Sequence, residues 1–436
     1  MFRYLLLVIT CVMSISLSQA LAQGSLTIVA VGEATLEKDS ISIPDAKLDS
    51  SANKKYANAF VEVLRNDFSF YKSKFYIDKK GVFGAGEWEK WKEKNYNYVI
   101  QVETTGGQLN IKALSVSEKN TMFEKDLTPS SSSLRAQAHE VADGIYRAIK
   151  GEDSIFKSQI LFVSDRDGSK AQPVKELYIM DFDGHNKTRL TNHGGTVISP
   201  GISHDGEKVL YSLIKPGKGE RNVDLYIMDV KTRQFRPLSS RAGINSGAVF
   251  MPDGEHITLT LSHKGSADLY VMNVETGSLR QLTKSYAPDV DPSINKDASL
   301  MSFLSGRSGA AMIYTMDPSS LEKEVKRISY VGKFNATPRF SPDGKEIAFS
   351  SWLDNRFDIF RIGADGHNLS RLTKDFGSNE DPTYSPDGQF IAFSSQRVIS
   401  QSKADQNIYI MDRDGEILGS ITENYGNCIT PRWSKY

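Results

Sequence analysis

Little in this chain of 436 residues offers redox, metal or nucleophilic chemistry. It holds two cysteines, Cys11 and Cys428. Cys11 falls in a leader-like stretch, so the thiol left over can make no internal disulfide and is expected as a small buried hydrophobe. The histidines His139, His185, His193, His204, His256, His263 and His367 form neither H-E-x-x-H nor any closely spaced metal pair. No G-x-S-x-G elbow is present; "GRSG" at 306–309 falls one residue short. Neither a P-loop nor a Rossmann glycine pattern occurs. Asp165-Arg166-Asp167-Gly168 and Asp181-Phe182-Asp183-Gly184 begin like calcium loops, but no Glu follows at the twelfth position, so both read as hairpin turns. Lys plus Arg number 53 and Asp plus Glu number 53. That balance leaves no footprint for nucleic acid. No catalytic, cofactor-binding or metal-binding residue is therefore assigned.

Long apolar runs are missing too. The longest, residues 5–17, is shorter than the ~17–25 residues of a spanning helix. It follows Arg3 and precedes Ala20-Leu21-Ala22, the order of a cleavable secretory signal over residues 1–22, with a mature chain starting at Gln23. Thr10 before Cys11 argues against a lipoprotein signal. A hydrophobic content of 39% and a charged content of 24% suit a soluble globular protein beyond that leader.

What the chain has in abundance is one repeated phrase. "RFSPDGKEIAFSS" (339–351), "TYSPDGQFIAFSS" (383–395) and "VFMPDGEHITLTL" (249–261) are variants of it. Each full unit carries a strand ending in Pro-Asp-Gly, an apolar strand, a Leu-Tyr-x-Met-Asp strand and a polar strand ending in Leu-Thr. Tyr178, Tyr226, Tyr270, Tyr314, Phe360 and Tyr409 mark six copies spaced 44 to 49 residues apart. Four short strands at that period predict a six-bladed β-propeller over residues 158–436. The third strand, typified by Leu225-Tyr226-Ile227-Met228, is apolar at both parities, as a strand buried between neighbouring blades must be. The first copy starts at Ile160 without an opening strand, and the chain ends on Pro431-Arg432-Trp433-Ser434. The C-terminus is therefore expected to complete the first blade. Asn295-Lys296-Asp297-Ala298 lacks both Pro and Gly, which predicts the loosest first turn in the fourth blade.

Residues 23–152 show no repeat and read as a mixed α/β domain. Strands are expected at 26–31, 74–77, 98–102 and 110–116, and helices at 52–67, 87–94 and 132–150. Pro129 and the serines 130–133 are expected to serve as loop and cap for the last helix. The fold class is thus an α+β N-terminal domain followed by an all-β six-bladed β-propeller.

In a four-stranded blade the Pro-Asp-Gly hairpins share one face, and the loops between blades share the other. Those loops, at 192–199, 240–247, 284–291, 331–337, 374–381 and 423–430, are varied, as binding loops on a rigid scaffold are. Ile244, Asn245, Gly247, Asp289, Val290 and Asp291 immediately precede innermost strands, so their side chains are expected to ring the axis and bind a partner. Glu380 and Asp381, like Asp289 and Asp291, are acids at or just before a proline. They either face a partner or accept hydrogen bonds from a neighbouring blade.

The stretch Trp91-x-x-x-Asn95-x-Asn97-Tyr98-Val99, the six blades with their Pro-Asp-Gly and Leu-Tyr-x-Met-Asp elements, and the Pro431-Arg432-Trp433-Ser434 ending together resemble the TolB family. The resemblance implies a periplasmic, non-enzymatic component of the Tol-Pal envelope system without cofactor. It implies binding of the outer-membrane lipoprotein Pal at the propeller mouth, and of TolA through the mature N-terminal segment, where Leu26 and Ile28 are the candidate contacts. It also implies a part in outer-membrane integrity and cell division. The competing reading is a secreted propeller hydrolase or a metal-dependent ligand-binding propeller. The want of any His–acid constellation weighs against that reading.

Overall fold

The computed structural model describes residues 38–434, except 50–53, 82–83, 85, 170–171, 218–221, 321 and 401–402. The expected signal segment, the strand at 26–31 and the candidate contacts Leu26 and Ile28 lie outside the described residues.

A five-stranded sheet comes first. Its strands are β1 (Asp39–Ser42), β2 (Phe75–Asp78), β3 (Tyr98–Thr105), β4 (Gln108–Ser115) and β5 (Asn120–Leu127), in the order β2-β1-β3-β4-β5. β1 runs parallel to β2 and β3. β3 and β4 form a hairpin on Gly106-Gly107, with φ of 57° and 84°. Two successive left-handed residues give the turn whose twist matches paired strands. β1 and β5 were not expected from the sequence, because their alternation is mixed with polar residues. Helix α1 (Lys54–Phe70) buries Tyr56, Phe60, Val61, Leu64 and Phe68. Helix α2 is Trp88–Glu93, and α3 (Leu134–Lys150) ends on Gly151 in the left-handed conformation. The serine run does lead into α3, but the Ser133 side chain makes no capping hydrogen bond, contrary to expectation.

Six four-stranded antiparallel blades follow. The innermost strand of the first blade is Cys428–Trp433, paired with Gln159–Ser164. The other innermost strands are Thr196–Ile202, Asn245–Phe250, Asp289–Ile294, Asn335–Phe340 and Ser378–Tyr384. The double-parity apolar strand has the explanation its pattern suggested. In Val223–Asp229, Tyr226 and Met228 pack with Leu161, Val163 and Ile179 of the first blade. Leu225 and Ile227 pack with Ile257 and Leu259 of the third. Each such buried side chain contributes roughly 1.5–3 kcal/mol.

The closing Leu-Thr pair also has a physical role. The hydroxyl of Thr191, Thr283, Ser329, Thr373 or Thr422 accepts a hydrogen bond from the main-chain N–H of Leu177, Leu269, Ile313, Ile359 or Ile408 on the third strand, at 2.8–3.1 Å. It ties the blade's end back onto its centre.

The fourth blade's first turn corrects the expectation of a loose one. Asn295 N–H donates to the Leu300 carbonyl at 3.0 Å, and Ala298 N–H to the Asn295 carbonyl at 3.1 Å. Asn295 Oδ1 accepts from Leu300 N–H at 2.9 Å. Ser341 Oγ accepts from Glu346 N–H in the same way in the next blade, at 3.0 Å. The turn is closed, with Ala298 forced to a φ of 58° in place of glycine.

The sheet-and-helix layer shares one apolar core with the first and sixth blades. Phe68, Tyr71, Tyr146, Phe156, Phe182, Phe390 and Trp433 all belong to it. Phe70 meets Phe182 at 5.0 Å between ring centroids, and Tyr71 meets Phe390 at 5.2 Å. Phe182 lies on a turn between third and fourth strands, and Phe390 follows a Ser-Pro-Asp-Gly hairpin. The layer therefore covers the hairpin side of these blades and leaves the inter-blade loops on the other side clear of it.

Candidate functional site

All six innermost strands share one irregularity. Each is bulged against the second strand of its blade. Near each bulge one residue is left-handed: Ser199, Gly247, Asp291, Thr337, Asp381 and Thr430, with φ of 49–63°. Bulges of this kind re-aim side chains. Here they bring charged residues of four successive blades together: Asp291, Arg339, Asp381 and Arg432. Arg339 donates to Asp291 at 2.9 Å. Burial pushes the Asp381 carboxyl up, against the pull of Arg432 and Arg339. Burial and the like charge of Arg339 lower the Arg432 guanidinium. Glu380 has no ion-pair partner among the described residues, and burial together with the Asp381 charge pushes its carboxyl up to about 7. Toward the hairpin side these groups border a cavity of about 360 Å³ lined by Arg339, Thr383, Tyr384 and Trp433, among others.

The residues singled out from sequence separate into three sets. Asp291, Glu380 and Asp381 are half-buried in this charged ring, and Gly247 holds the matching position in the third blade. Ile244 is exposed at the loop side, while Val290 packs against the core between the fourth and fifth blades. Asn245 and Asp289 correct the expectation that both face the axis, because both are fully buried. Asn245 Nδ2 donates to the carbonyls of Val223 and Arg241 at 2.8 and 2.7 Å, and its Oδ1 accepts from Ser239 at 2.5 Å. Asp289 takes Arg307 at 2.9 Å. Both stand two residues before the left-handed position, as do Asn335 and Asn379, so the strand turns them into the blade junction. There Asn245 ties the third blade to the second, while Asp289 holds Arg307 within the fourth blade and its main-chain N–H donates to the Ala267 carbonyl of the third at 2.8 Å.

Sequence reasoning passed over exposed aromatic groups on the loop side. Tyr286 is 86% and Tyr330 73% exposed. Phe334 is partly exposed and stacks on Trp352 at 5.8 Å, and the Arg327 guanidinium lies 4.4 Å from the Tyr330 ring centre. These rings sit on or beside loops 284–291 and 331–337. An aromatic residue inside a varied inter-blade loop was the available signal.

Away from the mouth, one cluster of metal-type donors occurs among the described residues: Asp67, His139 and Asp183. His139 Nδ1 is engaged with Asp67 at 2.8 Å, and Arg135 donates to the Asp183 carboxylate. The donors thus already serve one another as an ion-pair network, which suits it poorly to a cation.

Residues 146–436 match the family model described as the TolB beta propeller domain. The Tol-Pal system protein TolB of Roseobacter denitrificans is 32% identical over 253 residues, 55% of this chain and 56% of that protein. Its counterpart from Rickettsia canadensis is 27% identical over 235 residues, 50% of this chain and 51% of that protein. The chain thus spans about half the length of the curated relatives it matches. The crystal structure of TolB from Acinetobacter baumannii aligns with a TM-score of 0.75 at 22% identity, covering 91% of this chain and 96% of that one. At that identity the likeness concerns the fold.

Proposed function

Since the chain belongs to the TolB β-propeller family, we propose that it is a non-catalytic scaffold of a Tol-Pal system, with its loop-side mouth as the docking face for a Pal-type outer-membrane lipoprotein. In this reading residues 1–22 direct export to the periplasm and are removed. The mature N-terminal segment, with Leu26 and Ile28, binds TolA. Residues 23–152 form the domain that carries that segment, and 158–436 form the propeller. The role served is outer-membrane integrity during cell division.

One observation carries the docking reading. Exposed Ile244, Tyr286, Tyr330 and Phe334 gather on the loops of the third to fifth blades, on the side the helical layer leaves uncovered. Exposed aromatics beside charged groups are the composition of binding hot spots. The charged ring of Asp291, Arg339, Asp381 and Arg432, with Glu380 beside it, stands at the centre of that face.

Titration calorimetry with the soluble domain of the lipoprotein tests this. Tyr286→Ala with Tyr330→Ala should weaken binding at least tenfold, about 1.4 kcal/mol, with an unchanged circular dichroism spectrum. Asp365→Lys with Asp414→Lys, on the hairpin side, should leave affinity within twofold. Equal losses from both pairs would place the interface elsewhere.

A further inference from the structure

The junction between the helical layer and the propeller is largely apolar, which makes the buried ionic group that links α1, α3 and the first blade conspicuous. Asp67 on α1 and His139 on α3 are 0% and 4% exposed. Asp183 reaches them from the turn between third and fourth strands of the first blade. His139 bridges the two sides: its Nδ1 meets Asp67 Oδ2 at 2.8 Å, and its Nε2 stands 3.7 Å from Asp183 Oδ2. Arg135, one turn earlier on α3, donates to Asp183. His185 Nδ1 lies 3.2 Å from Asp183 Oδ1 but is itself largely exposed. Lys187, further along the same turn, is spent on the Gly184 carbonyl. The Phe182 ring closes the remaining side at 5.2 Å from the imidazole. Asp67 Oδ1, His139 Nε2 and Arg135 Nε have no hydrogen-bond partner among the described residues.

The charge arithmetic decides what this group can do. Two carboxylates face one guanidinium, so with both carboxylates ionised the buried set is neutral only when His139 carries a proton. A neutral imidazole leaves one uncompensated negative charge inside an apolar junction, where isolated charge is expensive.

We infer that Asp67, His139, Asp183 and Arg135 form a proton-dependent latch between the helical layer and the first blade, closed while His139 is an imidazolium and loosened when it is neutral. The inference is independent of which partner the mouth binds. It couples the seating of the layer to proton concentration, or to any event that strips Asp183 from the pair.

The titration runs in the required sense. Burial alone would lower the His139 pKa, but the hydrogen bond it donates to Asp67 and the charges of Asp67 and Asp183 outweigh it and raise it. Burial also raises Asp67, to about 6. Asp183 moves the other way, because His185, His139 and Arg135 outweigh its burial, so it stays ionised throughout. A raised folded-state pKa gives stabilisation that is complete below the unfolded value and lost as pH rises through the folded one. For His139 the loss begins above the ordinary histidine value of about 6.5.

Hydrogen exchange on the full chain reads the latch, corrected for the intrinsic pH dependence of amide exchange. Between pH 6 and 8.5, protection in Lys54–Phe70 and Leu134–Lys150 should fall roughly tenfold relative to the third and fourth blades. Asp67→Asn removes the excess negative charge, so its two helices should be equally protected at both pH values. His139→Gln should show the loosened level at pH 8.5, where Asp67 is ionised. Nitrogen NMR of the wild-type imidazole needs no variant and should place His139 above the ordinary histidine range. A His139 that titrates at or below that range, or an Asp67→Asn chain that keeps the wild-type pH dependence, would overturn the latch.

Discussion

Asp291 of the fourth blade and Arg339 of the fifth meet at 2.9 Å inside the propeller, each standing beside a charge of the sixth or first blade. The side chains are 20% and 11% exposed, so water screens the pair only in part. Arg339→Met removes the Asp291 ion-pair partner and leaves Asp291 and Asp381 with Arg432 as the one cation of the ring. Breaking such a pair from one side costs about 3 kcal/mol, and removing both charges costs much less. Urea unfolding should therefore show Arg339→Met well below wild type, with Arg339→Met plus Asp291→Asn recovering a large part of the loss.

Glu380 gives the ring a pH dependence of its own. Its carboxyl is raised to about 7 by burial and the Asp381 charge. The protonated form is the one the fold favours, so this stabilisation is full below the ordinary Glu value of about 4.3 and is lost as pH rises through about 7. Glu380→Gln mimics the protonated form. It should match wild type at pH 4 and exceed it by about 1–2 kcal/mol at pH 8, an amount reduced from the full shift because the group is half-exposed to the channel. Denaturant midpoints at the two pH values check it.

The architecture was readable because the repeat states it six times, and the double-parity apolar strand admits only burial between blades. The charged ring was nearly readable. "DPS" at 291–293 and "DPT" at 381–383 alternate with "TPR" at 337–339 and 430–432. The acids were noticed there and the arginines two residues on were not, because a bulge, invisible in sequence, brings them together. Asn245 and Asp289 were misplaced for the same reason: their direction depends on which side of the bulge they stand. The Asp67–His139–Asp183 group had no sequence signal. Its members are far apart in the chain, and only the docking of α1 and α3 on the first blade unites them.

Ala298 occupies the one Pro-Asp-Gly-type turn that lacks glycine, at a φ of 58°. A side chain in this region costs roughly 1–2 kcal/mol. The turn's hydrogen bonds are already made, so Ala298→Gly removes strain and breaks nothing. Stability should rise by about 1 kcal/mol, visible as an increase of about 2 °C in Tm. The same substitution elsewhere in a strand would destabilise, which makes the sign of the change diagnostic of the turn.

Trp433 concentrates three functions in one side chain. It ends the strand that completes the first blade, pairing with Ile160. Its indole N–H donates to Ser158 Oγ at 2.8 Å, on the segment joining the helical layer to the propeller. Its ring lies 7% exposed within the core shared by both parts. Trp433→Ala should cost about 3–5 kcal/mol, as for other buried Trp truncations. Ser158→Ala leaves the indole N–H without its acceptor, worth about 1–3 kcal/mol, and removes the Oγ bond to the Ile155 carbonyl, which keeps the Ser158 main-chain N–H. Because the two residues share that bond, the double variant should cost less than the sum of the singles. Thermal unfolding of the four proteins gives the coupling directly. Strict additivity would mean that Trp433 acts through packing alone and that the hydrogen bond to Ser158 contributes nothing to holding the ring closed.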